Sequence, residues 1–171
     1  MSGQTVRAAV ENVAKLIAEN PEKARVKNAP ATASLVNGLA LSVTGPNGEM
    51  VQTDMPKAIG GAGGIPQPGW LLRAALASCT GTVIVMRAAQ LGVEVKTLEV
   101  IVESESDNRG LLGLDDGISA ALAGLRTRVG ITAENATRAQ IEDIVRWGDA
   151  HSPVACTLRK ALGSDIELIV S

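Results

Sequence analysis

The sequence predicts an α+β fold, and three observations carry that expectation. Residues 32–54 read as three short extended runs (ATASLV, LALSVTG, EMVQTD), punctuated by Asn37-Gly38 and by Pro46-Asn47-Gly48. Residues 68–91 form one long apolar segment with a cysteine, Cys79, near its middle. A second pair of alternating runs follows at residues 97–105 and 125–131, and helical patterns then lead to the C-terminus.

In chain order, residues 6–18 repeat Val6, Ala9, Val10, Val13 and Ile17 at helical spacing, and Asn20-Pro21 ends the run. The three extended runs make an antiparallel meander. Residues 56–67, with four glycines and two prolines, are loop chemistry leading into the cysteine helix. On that helix Leu72, Ala75, Leu76, Cys79, Val83 and Met86 share one face at spacings of three and four, the expected buried stripe. Leu98, Val100 and Val102 alternate with Glu99, Ile101, Glu103 and Glu105. The facing run sets Leu125, Val129 and Ile131 against Arg126 and Arg128, so charges of opposite sign are expected to pair across the two strands. Residues 106–119 are a glycine-bearing acidic loop. Residues 137–148 give an amphipathic helix, Ser152-Pro153 caps and opens another that runs to Leu162, and Ile166, Leu168 and Val170 close the chain as a strand. The predicted order is βββ-α-ββ-αα-β behind an added N-terminal helix.

Composition narrows the function. The 171 residues suit one core without a staple. Residues 1–20 carry Glu11, Lys15 and Glu19 and lack the pattern of a secretory leader, so a cytoplasmic protein is expected. Arg73 and Arg87 interrupt the apolar segment too closely for the roughly 20 residues a bilayer span needs. A net charge of −2 with two Trp and no Tyr or Phe offers neither a phosphate-binding stripe nor a base-stacking platform, so no nucleic acid is expected as partner. Two distant cysteines and one histidine match no disulfide framework or metal spacing, and no metal or cofactor is expected.

Cys79 has two readings from spacing alone. It is a small hydrophobe in the packing, or a nucleophile, which at neutral pH needs a cation to raise its thiolate fraction. Lys57 in the glycine loop is the candidate cation, ahead of Arg73, which falls on another side of the helix. Cys156, about one turn beyond Ser152, and His151 beside the helix cap have packing or solvated roles as their plainer readings.

Four stretches together, GGAGG at 60–64, PGWLLRAALASC at 68–79, LGVEVKTLEVIV at 91–102 and AHSPVACTL at 150–158, resemble the OsmC/Ohr family of osmotically inducible and organic hydroperoxide resistance proteins. The resemblance covers residues 31–170. It leaves residues 1–29 as an N-terminal helical extension before an OsmC-like domain at 30–171. It implies antiparallel sheets around a long central cysteine-bearing helix, two intertwined chains forming a homodimer, and thiol-dependent reduction of organic hydroperoxides. Cys79 matches the peroxidatic cysteine. Lys57 stands where the family's Pro-Arg-x-x-Gly-Gly loop has arginine, keeping the charge without the bidentate fork. Pro68-Gly69, followed by Trp70, replaces a Pro-Glu pair, and Ser152 replaces the resolving cysteine before Pro153, which leaves Cys156 as the substitute. Gly69, Trp70, Leu72, Leu76 and Ser152 are the expected substrate contacts, with a thiol reductant closing the cycle. The alternative is a non-catalytic stress protein that binds a small apolar ligand, Cys79 serving as sensor or packing residue.

Overall fold

The computed structural model describes residues 3–160 and 162–170. Its elements are α1 (Gly3–Glu19), β1 (Thr32–Asn37), β2 (Ala40–Thr44), β3 (Met50–Thr53), α2 (Pro68–Gln90), β4 (Glu94–Glu105), α3 (Asn108–Leu111), β5 (Ala123–Glu134), α4 (Arg138–His151) and α5 (Pro153–Lys160). Helices and two antiparallel sheets thus follow the predicted order up to the last strand. The chain divides into two compact units, Glu11–Ala74 and a second made of Met1–Val10 with Ala75–Ser171.

In the first unit, β1, β2 and β3 pair in sequence order as an antiparallel meander. The first turn sits one residue later than Asn37-Gly38 predicts: Asn37 pairs with Ala40 across a two-residue loop, Gly38-Leu39. Only Gly38 of that loop has positive φ, the pattern of a type II′ hairpin. At the second turn Gly48 takes positive φ, and the Glu49 carboxylate accepts from the backbone and side-chain N–H groups of Asn47, each at 2.8 Å.

The second unit holds the core. β4 and β5 form a two-stranded antiparallel ribbon, and Val95, Leu98, Val129 and Ile131 on one of its faces pack with Ile84 and Ala88 of α2 and Ile144 of α4. The alternation read from the sequence is the one observed along β4, interrupted by an irregularity between Val95 and Thr97. The expected cross-strand charge pair forms diagonally, Arg128 to Glu103 at 2.8 Å, while Arg126 stands opposite Glu103 in register. Both partners are half exposed, so the pair adds at most about 1 kcal/mol. Gly92, at positive φ, ends α2 in a Schellman motif: Val93 N–H returns to the Ala88 carbonyl and Gly92 N–H to that of Ala89. A capping box of Thr137 and Gln140 starts α4.

Three expectations need correction. The closing strand is absent: residues 162–170 form no helix or strand, and Ile166 is 95% exposed. Alternating apolar residues choose a face, but a strand also needs a neighbouring edge to take its backbone N–H and C=O groups, and none takes these. The acidic loop contains the short helix α3, capped by Asp107, whose carboxylate accepts from Arg109 N–H and is held below its ordinary range mainly by the Arg109 side chain. The final helix α5 extends to Lys160, and Ala161, part of the predicted helix, lies outside the described residues. By length and composition α2 is apolar enough to cross a membrane, yet one of its faces belongs to the core just described.

Candidate functional site

Helix α2 buries Leu76, Thr80, Ile84 and Ala88, four residues apart, together with Gly81 and Ala89. That is a different face from the predicted one. Leu72, Ala75 and Met86 are exposed, Val83 and Cys79 are half-buried, and of the proposed stripe only Leu76 is fully covered. An apolar helix of Ala, Leu, Val and Ile offers several faces of similar hydropathy, and here the β4–β5 ribbon and α4 select one about a third of a turn away from Cys79. Cys79 is therefore a free thiol with partial access to solvent, not a sulfur sunk in the core. It lines neither of two cavities that flank it. Leu76 and Thr80 contribute to one of about 630 Å³, bounded also by Val129, Val145 and Leu158 with Asp149 and Arg159 among its polar groups. Ala77, Ser78 and Gly81 contribute to another of about 540 Å³ with Leu98 and Val100.

Ser152, fully buried, joins the last two helices to α2. Its hydroxyl meets that of Thr80 at 3.3 Å and accepts from Ala155 N–H at 3.3 Å, so it caps α5 as predicted. The position that resembles the family's resolving cysteine thus touches the residue next to Cys79 in sequence. Cys156 stands one turn further on, its Sγ donating to the Ala150 carbonyl at 3.1 Å. Arg159 Nη2 donates to that sulfur at 3.6 Å and to the Asp149 carbonyl at 2.7 Å, and Nη1 donates to the Asp149 carboxylate at 3.0 Å. The sulfur contact, opposed by desolvation and reinforced by Asp149, holds the Arg159 guanidinium above its ordinary range. Arg159 follows Cys156 at the helical spacing i, i+3, the sequence signal that marks it as a candidate partner of that thiol.

Lys57 belongs to the other unit, as does the start of α2 with Gly69, Trp70 and Leu72. It opens a short 3₁₀ turn, Lys57–Ile59, and lines a cavity of about 470 Å³ with Met55, Pro56, Ala62, Gly63 and Gln67. Trp70 is 48% exposed and Gly69 lies in the first turn of the helix. Asp54, at the start of this loop and with no hydropathy or spacing signal of its own, is buried and its carboxylate accepts from Met55 N–H and Ala62 N–H, both at 2.7 Å. His151 stacks on Trp147 at 3.9 Å, its Nδ1 lies 2.8 Å from the Trp147 carbonyl, and Arg87 covers the indole at 4.8 Å. Among the described residues no three His, Cys, Asp or Glu side chains gather as metal ligands.

The arrangement offers two thiols, one half-buried on a long apolar helix and one beside a guanidinium, with a lysine-bearing glycine loop in the other unit. Residues 61–167 match the family model described as OsmC-like protein. Among solved structures, the fold is similar to that of an OsmC-like protein from Mycoplasma pneumoniae, with a TM-score of 0.67 at 16% identity over 79% of this chain and 89% of that one. It is also similar to the organic hydroperoxide resistance protein OhrB of Bacillus subtilis, with a TM-score of 0.53 at 19% identity over 79% and 93%. A third similar structure is an organic hydroperoxide resistance protein from Legionella pneumophila, with a TM-score of 0.53 at 18% identity over 79% and 91%. No curated protein sequence matches this chain. With the family model spanning well over half of the chain and both cysteines, the protein belongs to the OsmC/Ohr family of OsmC-like proteins.

Proposed function

We propose that the protein reduces organic hydroperoxides with a thiol as electron donor, and that Cys79 is the peroxidatic residue. The observation that carries this reading is the half-buried free thiol of Cys79, placed on the long apolar helix α2 of an OsmC-like fold. The Cys79 thiolate attacks the outer peroxide oxygen, the O–O bond breaks, and the alkoxide leaves and takes up a proton as an alcohol, while the sulfur is oxidised to a sulfenic acid. A second thiol then displaces water to give a disulfide, and an external thiol reductant restores both sulfurs. Lys57 is the proposed cation for the thiolate, and Gly69, Trp70, Leu72, Leu76 and Ser152 are the proposed substrate contacts. Apolar surroundings favour alkyl or lipid hydroperoxides over hydrogen peroxide. The test is consumption of cumene hydroperoxide with dithiothreitol by the wild-type chain and by Cys79→Ser; equal rates end the reading.

Cys156 is the proposed resolving thiol in place of the family's cysteine before proline. Arg159 Nη2, 3.6 Å from its sulfur, holds that side chain in place on α5. Stoichiometric peroxide is expected to produce a Cys79–Cys156 disulfide, seen as a cross-linked peptide by mass spectrometry under non-reducing conditions. A stable Cys79 sulfenic acid that reacts only with added thiol would instead assign resolution to the external reductant.

The proposed working form is a cytoplasmic homodimer in which residues 30–171 are the OsmC-like domain and residues 1–29 an extension. The uncovered side of α2, with Leu72, Ala75, Val83 and Met86, supports a second copy as its cover, as the family resemblance implies. Sedimentation is expected at twice the 17.6 kDa chain mass, and Val83→Glu is expected to shift it toward the monomer.

A second reading keeps the fold and drops catalysis. Pro68-Gly69 followed by Trp70, in place of the Pro-Glu pair that the resemblance calls for, favours a non-catalytic stress protein holding a small apolar ligand, with Cys79 as sensor or packing residue. A co-purified ligand in native mass spectrometry, together with slow alkylation of Cys79 at neutral pH, supports this second reading.

A further inference from the structure

Residues 165–170, Asp-Ile-Glu-Leu-Ile-Val, set Ile166, Leu168 and Val170 at the period of a strand, yet they form neither helix nor strand. Ile166, Leu168, Ile169 and Val170 are 82–95% exposed. A run this rich in Ile, Leu and Val, with no Pro or Gly, is one that folded proteins cover, because its backbone is ready to join any free sheet edge. The second unit offers such an edge. β5 is 12 residues long, carries no proline, and among the described residues pairs with a strand on one side alone, the side of β4.

Charge and alternation choose among the edges. As a strand, the segment would set Ile166, Leu168 and Val170 on one face and Asp165, Glu167 and Ile169 on the other. β5 has matching rows. Leu125, Thr127 and Val129 lie on its core side, where they border the cavity of about 630 Å³, and Arg126 and Arg128 lie on the opposite face. Arg128 already bonds Glu103, whereas Arg126 has no ion-pair partner among the described residues. The same face of β4 carries Glu99, Glu103 and Glu105, so an acidic strand beside β4 would be repelled. β1 and β3 carry no ionisable side chain and neither attract nor repel it.

We infer that residues 165–170 of one copy add as a strand to the free edge of β5 in a second copy, and that the exchange is mutual. In the single chain the segment lies on no strand, so its own β5 is not its partner. A two-fold exchange covers both edges at once and leaves none open for further chains. Main-chain hydrogen bonds of the added strand supply the attraction, while Asp165 and Glu167 against Arg126 and Arg128 select the edge and the face. The inference rests on the proposed homodimer and adds which parts of the two copies meet.

The experiment combines sedimentation with hydrogen exchange on the full chain. Where the chain sediments as a dimer, the amides of residues 166–170 are expected to exchange about 10-fold or more slowly than in the diluted monomer. Leu168→Pro, which removes a donor from the added strand, should abolish that protection. Glu167→Arg is expected to weaken the dimer about 10-fold, or about three-fold for each of the two symmetry-related contacts, and Arg126→Glu by a similar factor. Together the two reversals should restore most of the affinity, because the charges are exchanged rather than removed. Position 167 is exposed, so Glu167→Arg should keep the fold, which circular dichroism checks. Slow exchange that survives dilution to the monomer places the segment on its own chain and overturns the inference. A dimer whose 166–170 amides exchange at the monomer's rate, or charge reversals that add without rescue, also overturns it while leaving the homodimer standing. A chain that stays monomeric at every concentration overturns both.

Discussion

Cys79→Ser is expected to lower kcat/KM for cumene hydroperoxide by about 10³-fold or more, the scale on which enzymes lose activity when the nucleophile itself is removed. Serine is close in volume and Cys79 is only half-buried, so the variant should fold with a melting temperature near that of the wild type. The size of the effect comes from chemistry. A hydroxyl at neutral pH is almost wholly protonated and is a poor nucleophile toward the O–O bond, whereas even the few per cent of thiolate in an ordinary cysteine reacts well. Cys156→Ser tests a different step. It should leave the first, stoichiometric reduction of peroxide intact and slow turnover, with the sulfenic acid at Cys79 trapped by dimedone. A Cys79→Ser chain that consumes peroxide at the wild-type rate removes the proposed chemistry altogether.

Ile84→Ala is expected to cost about 2–5 kcal/mol of stability, the largest effect foreseen for any single core residue. Ile84 is fully buried at the meeting of α2, α4 and the β4–β5 ribbon. Across from it, Gly148 lets α4 come close: a Cβ there would lie 2.4 Å from Ile84 Cγ1 and 3.1 Å from its Cα and backbone nitrogen. Gly148→Ala is accordingly expected to destabilise by about 1–3 kcal/mol through overpacking, despite the better helix propensity of alanine. The two substitutions should not add. In Ile84→Ala the nearest clashing atom is gone, so the double variant should be more stable than the sum of the singles by about 0.5–3 kcal/mol. Urea unfolding followed by circular dichroism measures all three; strict additivity would mean that the helices separate to relieve the contact and that close approach at Gly148 is not what holds α4 on α2.

Much of the fold was legible because its signals act over a few residues. Turn residues marked the meander, although the hairpin at Gly38-Leu39 moved by one position because a single positive φ, not the Asn-Gly dipeptide, set the turn type. Ser152-Pro153 announced both a cap and a helix start, and both are present. The resemblance to the OsmC/Ohr family rested on the cysteine helix and the glycine loop, and the family model matches across residues that include that helix and most of that loop. Less of the site was legible. Asp54 acts on an amide eight residues away, and neither hydropathy nor spacing distinguishes such a clamp from a solvated turn aspartate. Arg159 lies three residues after Cys156, a helical spacing at which side chains meet, and that local signal does mark it.

By itself the sequence determined the α+β class, the central cysteine helix, its glycine-rich approach and the caps that start and end the helices, because each depends on backbone preferences and hydrogen bonds between near neighbours. Tertiary structure alone decided which side of α2 is buried, and with it the partial exposure of Cys79. A helix apolar on several sides has no preferred inner face until a sheet and a second helix pack against it, and long-range burial outweighs the small differences in hydropathy among its own residues. The same holds for the C-terminal alternation of Ile166, Leu168 and Val170, which remains without a strand because pairing requires an edge that the local sequence cannot supply.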